Sequence, residues 1–194
     1  MRKETKLFTW INLALLGLFT ILYLSAGNVE FLFYVVTLGA LVGVLAWTDK
    51  KFTFSTTAFT LFTIWLTAHL VGGYAKIGDT RLYDYIFVNI VGDPYNILKY
   101  DQILHFFCYF MVAFFMYDIL KKIAKPKASV GTIAFIAVMA ASGIGGVNEI
   151  IEFLTVVFLG AAEAVGGYEN TALDICTNFL GALTAAIFLS RRGK

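Results

Sequence analysis

Long apolar runs separated by short polar and basic segments dominate this chain. With a window of about 19 residues, five clear runs and one composite run stand out: Leu7 to Leu24, Phe31 to Trp47, Phe54 to Val71, Asp101 to Leu120, Val130 to Leu159 and Thr171 to Leu189. A helix needs roughly 20 residues to cross about 30 Å of hydrocarbon. The pattern therefore predicts an all-α, polytopic membrane protein with six transmembrane helices, forming a single transmembrane domain over residues 1–194. The fifth run holds 30 residues and would extend about 45 Å at 1.5 Å per residue, so it should tilt, protrude or break. Gly143-Ile144-Gly145-Gly146 is the expected place for a kink, since glycine lets the backbone bend or another helix approach. The first run, at 18 residues, exceeds the apolar core of a usual signal peptide and is expected to be a span.

The longest connection, Gly72 to Tyr100, mixes Tyr74, Tyr83, Tyr85, Phe87, Tyr95 and Tyr100 with Asp79, Asp84 and Asp93. Aromatic residues concentrate at the headgroup level, which makes this segment either an interfacial belt or a lid over a site. Leu82, Ile86 and Ile90 recur at helical spacing, which predicts a short interfacial helix within residues 72–100. Gly39-x-x-x-Gly43 in the second run predicts close helix packing.

Composition agrees with a bilayer as solvent. Of 194 residues 59% are hydrophobic and 14% charged, and the mean hydropathy is +0.78, more apolar surface than one soluble core of this length can hide. The net charge of +2 is too small, and its basic residues too dispersed, for a nucleic-acid partner. Those residues act as topology signals instead. Arg2, Lys3 and Lys6, then Lys50 and Lys51, then Lys121, Lys122, Lys125 and Lys127, then Arg191, Arg192 and Lys194 fall at alternate ends of the runs, which places 12 of the 15 basic residues on one side. The positive-inside rule makes that side cytoplasmic, with both termini inside. The implied location is a bacterial or archaeal cytoplasmic (inner) membrane. Cys108 and Cys176 lie in different runs without metal spacing and read as packing residues.

The candidate chemistry appears when ionisable residues are placed by depth. His69 falls at the outer end of the third span, and Asp101 and His105 share one face at the outer start of the fourth. Glu149, with Asn148 and Glu152 beside it, lies 19 residues beyond Val130, about 28 Å along the helix. Asp174 and Asn178 form another i, i+4 pair at the outer start of the sixth. All of these groups are expected in one layer near the outer face. Since a charge in hydrocarbon costs roughly 2.5–3.5 kcal/mol on insertion scales, they should face one another, a metal or a water-filled cavity. His69, His105, Glu149 and Asp174 are candidate ligands, and a mixed imidazole and carboxylate set suits Zn, Mn or Fe. The bland alternative has Asp101 and Asp174 as helix-end acids and His69 and Asn178 as interhelical hydrogen-bonding groups. Asp118, beside Lys121 and Lys122, reads as a solvated end charge.

Tyr100-Asp101-Gln102-Ile103-Leu104-His105-Phe106, Asn148-Glu149-Ile150-Ile151-Glu152-Phe153 and Asp174-Ile175-Cys176-Thr177-Asn178-Phe179-Leu180-Gly181-Ala182 resemble the YjdF-type family of bacterial inner-membrane proteins, a domain of unknown function, and more distantly the VanZ-like proteins. His69-Leu70-Val71-Gly72-Gly73-Tyr74 fits the same pattern. The likeness covers roughly residues 65 to 182. The VanZ-like branch implies an envelope role linked to resistance to the glycopeptide teicoplanin. Its usual Glu-x-x-Gln and following Arg are absent, however: Glu152 replaces the Gln, and no Arg lies between Leu154 and Ala172.

Three functions fit these residues. The first is a cell-envelope binding or structural protein whose polar layer holds helices together or grips a lipid headgroup, a lipid-linked group or a lipopeptide. The second is a metal-dependent enzyme acting on such a headgroup at the outer leaflet, with one carboxylate as general base and Asn178 orienting substrate. The third is a proton-coupled transporter, disfavoured because the polar groups stop in the outer half and no inverted repeat is visible. The oligomeric state and the ligand are not encoded in any motif.

Overall fold

The computed structural model of the chain describes residues 1–93, 95–125, 128–159 and 167–192. Among them are six α-helices: α1 (Lys3–Ser25), α2 (Val29–Phe52), α3 (Thr56–Tyr74), α4 (Tyr100–Ile123), α5 (Val130–Leu159) and α6 (Tyr168–Arg192). Five of them, all but α3, are long and apolar enough to cross a membrane. α3 is diluted by five threonines and His69. Two of its threonine hydroxyls turn back on carbonyls of their own helix, Thr63 on Phe59 at 3.1 Å and Thr67 on Thr63 at 2.8 Å, which satisfies them without water.

The chain divides into two compact units, residues 1–85 and 86–194. In the first, α1 packs on α2 and α3. Gly27, at φ +67, carries the chain from α1 to α2, a left-handed position that glycine tolerates. Asn28 and Ser55 cap α2 and α3 by accepting from the backbone N–H of Phe31 and Ala58, both at 3.2 Å, as N-cap side chains do. The core is aromatic: Phe8 stacks on Phe59 at 4.4 Å, with Phe62 edge-on to it at 5.3 Å. Gly73 is required here, because a Cβ there would lie 2.0 Å from the Phe31 ring.

After α3 the sequence pattern misleads. Among the described residues of the 72–100 connection the expected short helix shrinks to the 3-10 turn Leu82–Asp84 and does not reach Ile86 or Ile90. Before that turn, Lys76–Ile77 pairs with Thr80–Arg81 as a hairpin. The two-residue turn places Gly78 at φ +61, and such a glycine favours a tight hairpin over a helix. Farther on, Ile86 bridges Lys99 in antiparallel fashion. The helical spacing of Leu82, Ile86 and Ile90 was thus outweighed by turn chemistry.

The second unit is a three-helix bundle in which α6 packs on both α4 and α5. α5 runs unbroken from Val130 to Leu159, so the glycine segment does not interrupt it. Gly145 instead admits a neighbour: its missing Cβ would sit 3.1 Å from the Asn178 amide and 3.2 Å from the Tyr109 ring. Gly181 does the same on α6, where a Cβ would come within 2.0 Å of the Phe106 carbonyl oxygen. The close approaches therefore occur at Gly73, Gly145 and Gly181. In the expected packing pair, a Cβ at Gly39 would meet Leu16 at 3.9 Å, while at Gly43 nothing lies within 4 Å. Outward-facing Phe135, Phe153 and Phe158 are exposed, as lipid-facing side chains of a membrane bundle must be. Cys176 is exposed too, and Cys108 half-buried.

A buried imidazole and carboxylate cluster in the second unit

Three helices deliver one cluster to the same end of the bundle. α4 supplies Asp101 and His105 from its first turns, α5 supplies Asn148, Glu149 and Glu152 toward its end, and α6 supplies Asp174 and Asn178 near its start. The depth reckoning of the sequence and the antiparallel order of α4, α5 and α6 agree on this level. Asp174 is 1% exposed, Asn178 2%, Asp101 4%, Glu149 5% and His105 9%, while Glu152 is half-buried.

His105 sits at the centre. Its Nδ1 lies 3.0 Å from Oδ1 of Asn178, whose amide nitrogen donates to Oε1 of Glu149 at 3.2 Å. Nε2 points the other way, 3.5 Å from Oδ1 of Asp101. Glu149 Oε1 is also 3.8 Å from Nδ1. Around this core, Asn148 donates to Glu152 at 2.8 Å and Asn170 to Asp174 at 2.6 Å. Lys99 Nζ stands 3.9 Å from Oδ2 of Asp101.

The hydrogen-bond account does not close. Asp101 Oδ1, Glu149 Oε2 and Asp174 Oδ1 are buried and have no hydrogen-bond partner. Two groups of ligand-bearing atoms converge to within 4.8 Å, Asp101 with His105 and Asp174, and His105 with Glu149 and Glu152. Six of the seven sequence candidates, Asp101, His105, Glu149, Glu152, Asp174 and Asn178, thus gather in this unit. His69 belongs to the first unit, where the rings of Tyr34, Trp65, Tyr83 and Phe31 surround it at centroid distances of 5.2 to 5.9 Å. Neither convergent group includes it.

The sequence reading missed Asn170 and Gln102. Asn170 is four residues before Asp174, so the i, i+4 rule that found the other pairs applies to it equally. Buried Gln102 accepts from the backbone N–H of Leu98 at 2.8 Å and of Lys99 at 3.2 Å, which fastens the entry of α4 and with it Asp101. It also missed a saturated acid in the first unit. Asp49, 2% exposed, accepts from Nε and Nη2 of Arg2, from the Thr5 hydroxyl and from the Phe54 N–H.

A family model described as predicted membrane protein (DUF2238) matches residues 7–194. The chain belongs to that family. As a DUF2238 member it is a membrane protein with several apolar helices. It is 31% identical over 97 residues to an uncharacterized protein of Thermotoga maritima, a match that covers 50% of each chain. The chain thus spans about half the length of that curated relative. No solved structure matches it.

Proposed function

We propose that the second unit of this DUF2238 protein is a membrane-embedded binding module whose buried acids grip a cationic group at the outer face of the membrane. The supporting observation is the set of three buried carboxylate oxygens without a hydrogen bond, Asp101 Oδ1, Glu149 Oε2 and Asp174 Oδ1. A polar layer selected only to hold helices together is expected to be satisfied, because each buried group left without a partner costs about 1–3 kcal/mol, and more when charged. Asp49 shows what a structural acid in the same chain looks like: both oxygens are engaged, by Arg2, Thr5 and Phe54. The cluster acids keep unmet demand for positive charge. In this reading six helices cross the membrane with α3 among them, the termini face the cytoplasm, and the cluster lies on the opposite side. The YjdF-type kinship belongs to the same reading, and the VanZ-like likeness is not needed for it.

A metal-dependent enzyme acting on a lipid or lipid-linked headgroup is the second reading. It draws on the second group of ligand atoms: once a cation is held by one set, Glu149 and Glu152 remain on α5 to act on a proton. Proton-coupled transport gains no comparable support. Among the described residues of α4, α5 and α6, Asp118 is the one carboxylate near the other end.

The test uses the sign of a stability change. Asp174→Asn keeps the bond from Asn170, removes one buried negative charge and turns the unmet oxygen into a donor among carboxylates, so it should raise the stability of ligand-free protein by about 1–3 kcal/mol and abolish ligand binding, a trade typical of functional sites. Thermal unfolding in detergent reads it. A clear loss of stability would show that the layer is structural.

A further inference from the structure

We infer that the cationic group is a divalent transition-metal ion, bound by Asp101, His105 and Asp174, with Asn178 and Glu149 fixing the imidazole so that Nε2 is the ligand atom. This rests on the cation-binding reading above and adds the identity of the cation, its ligands and the tautomer.

The tautomer follows from a chain of two hydrogen bonds. The Asn178 amide nitrogen faces a carboxylate oxygen of Glu149 at 3.2 Å, and a carboxylate only accepts, so that end of the amide is the NH2 group. The carbonyl end then faces His105 Nδ1 at 3.0 Å and needs a donor, which makes Nδ1 carry the proton. In the neutral imidazole Nε2 is then left with a lone pair, 3.5 Å from Asp101 Oδ1. Metal-ligating histidines show the same construction, one ring nitrogen donating to a fixed oxygen and the other bound to the ion.

Nε2 faces Asp101 Oδ1, which is buried and lacks a hydrogen-bond partner, as does Asp174 Oδ1. A ring nitrogen of His105 and one carboxylate oxygen each from Asp101 and Asp174 converge to within 4.8 Å. In a tetrahedral site with bonds of about 2.1 Å, neighbouring ligand atoms stand roughly 3.4 Å apart, so the 3.5 Å between Nε2 and Asp101 Oδ1 already has the required spacing. The alternative trio with Glu149 and Glu152 is less suited. It faces Nδ1, already engaged by Asn178, and Glu149 Oε1 accepts from the same amide. An imidazole lone pair among carboxylates selects Zn, Mn or Fe over Mg, Ca or an organic ammonium group. Three protein ligands also leave a coordination position open, the arrangement of sites that bind a water or an external oxygen ligand.

The experiment uses the full chain in detergent, stripped with chelator and then titrated with Zn, Mn or Fe(II) by calorimetry, alongside elemental analysis of protein purified without chelator. About one ion per chain is expected. Asp174→Asn, which should fold at least as well as the parent, loses the ion. His105→Gln loses it as well. Asn178→Leu binds roughly 10–100-fold more weakly, the usual effect of removing the partner that orients a ligand, and alters the visible spectrum of the Co(II)-loaded protein. Equal binding by His105→Gln or Asp174→Asn would overturn the assignment. Absence of binding by any of the three ions, with Asp174→Asn still stabilising the protein, would overturn the metal and leave the cation pocket. Absence of both effects would remove the pocket too.

Discussion

Asp49 and Asp174 are the same residue type at nearly the same burial, 2% and 1% exposed, and they do opposite things. Asp49 ties α1 to the turn after α2: Arg2 pairs with it and also donates to the Phe54 carbonyl at 2.7 Å. Removing its charge leaves the 35%-exposed Arg2 without its carboxylate and turns one accepting oxygen into a donor, so Asp49→Asn should destabilise, by less than the roughly 3–5 kcal/mol of a fully buried pair, where Asp174→Asn stabilises, in the same unfolding assay. At this scale the sequence was half legible. Asp101 with His105 and Asp174 with Asn178 announced themselves by i, i+4 spacing inside apolar runs, where a charge demands an explanation. Asp49 did not, because it sits at the end of a run beside Lys50 and Lys51, and Arg2 had a sufficient reading as a topology signal. The surroundings of His69 were equally hidden, since its aromatic neighbours come from α2, α3 and the turn at Tyr83.

Among the elements, the helices were read from their apolar runs within a few residues at each end, because length against bilayer thickness is a strong constraint. The connection after α3 was not. Leu82, Ile86 and Ile90 carry a helical spacing by coincidence, and the turn at Gly78 and Asp79 decides the backbone before them. At the glycines, a GxxxG pair says that close approach is allowed but not where a partner lies. Contacts, not pattern, single out Gly181, whose missing Cβ leaves room for the Phe106 carbonyl. Gly181→Ala should push α4 and α6 apart and cost about 1–3 kcal/mol, the range for overpacking a tight interface, and it should weaken metal binding, since Asp101 and His105 ride on one of these helices and Asp174 on the other. A melting curve unchanged from the parent would mean that the crossing is looser than described.

For the molecule as a whole, composition and charge sufficed to place it in a membrane, and the family match agrees. The proposed reading takes the side on which the cluster lies from the basic residues near the helix ends, and labelling tests it. Membrane-impermeant thiol labelling of intact cells, with a single cysteine introduced at Asp79 or at Lys122 in a background lacking Cys108 and Cys176, should modify the first site and spare the second. The reverse pattern would put the cluster on the cytoplasmic side. The central claim is that α4, α5 and α6 bring His105, Asn178 and Glu149 into one pocket. With two histidines in the chain, 15N-histidine NMR of the metal-free protein, compared with His69→Gln for assignment, reads it directly at a pH where the imidazole is neutral. A proton on Nδ1 of His105, lost as a preference in Asn178→Leu, is the predicted result. The Nε2-protonated form that a free imidazole favours in water, unchanged by Asn178→Leu, would contradict it.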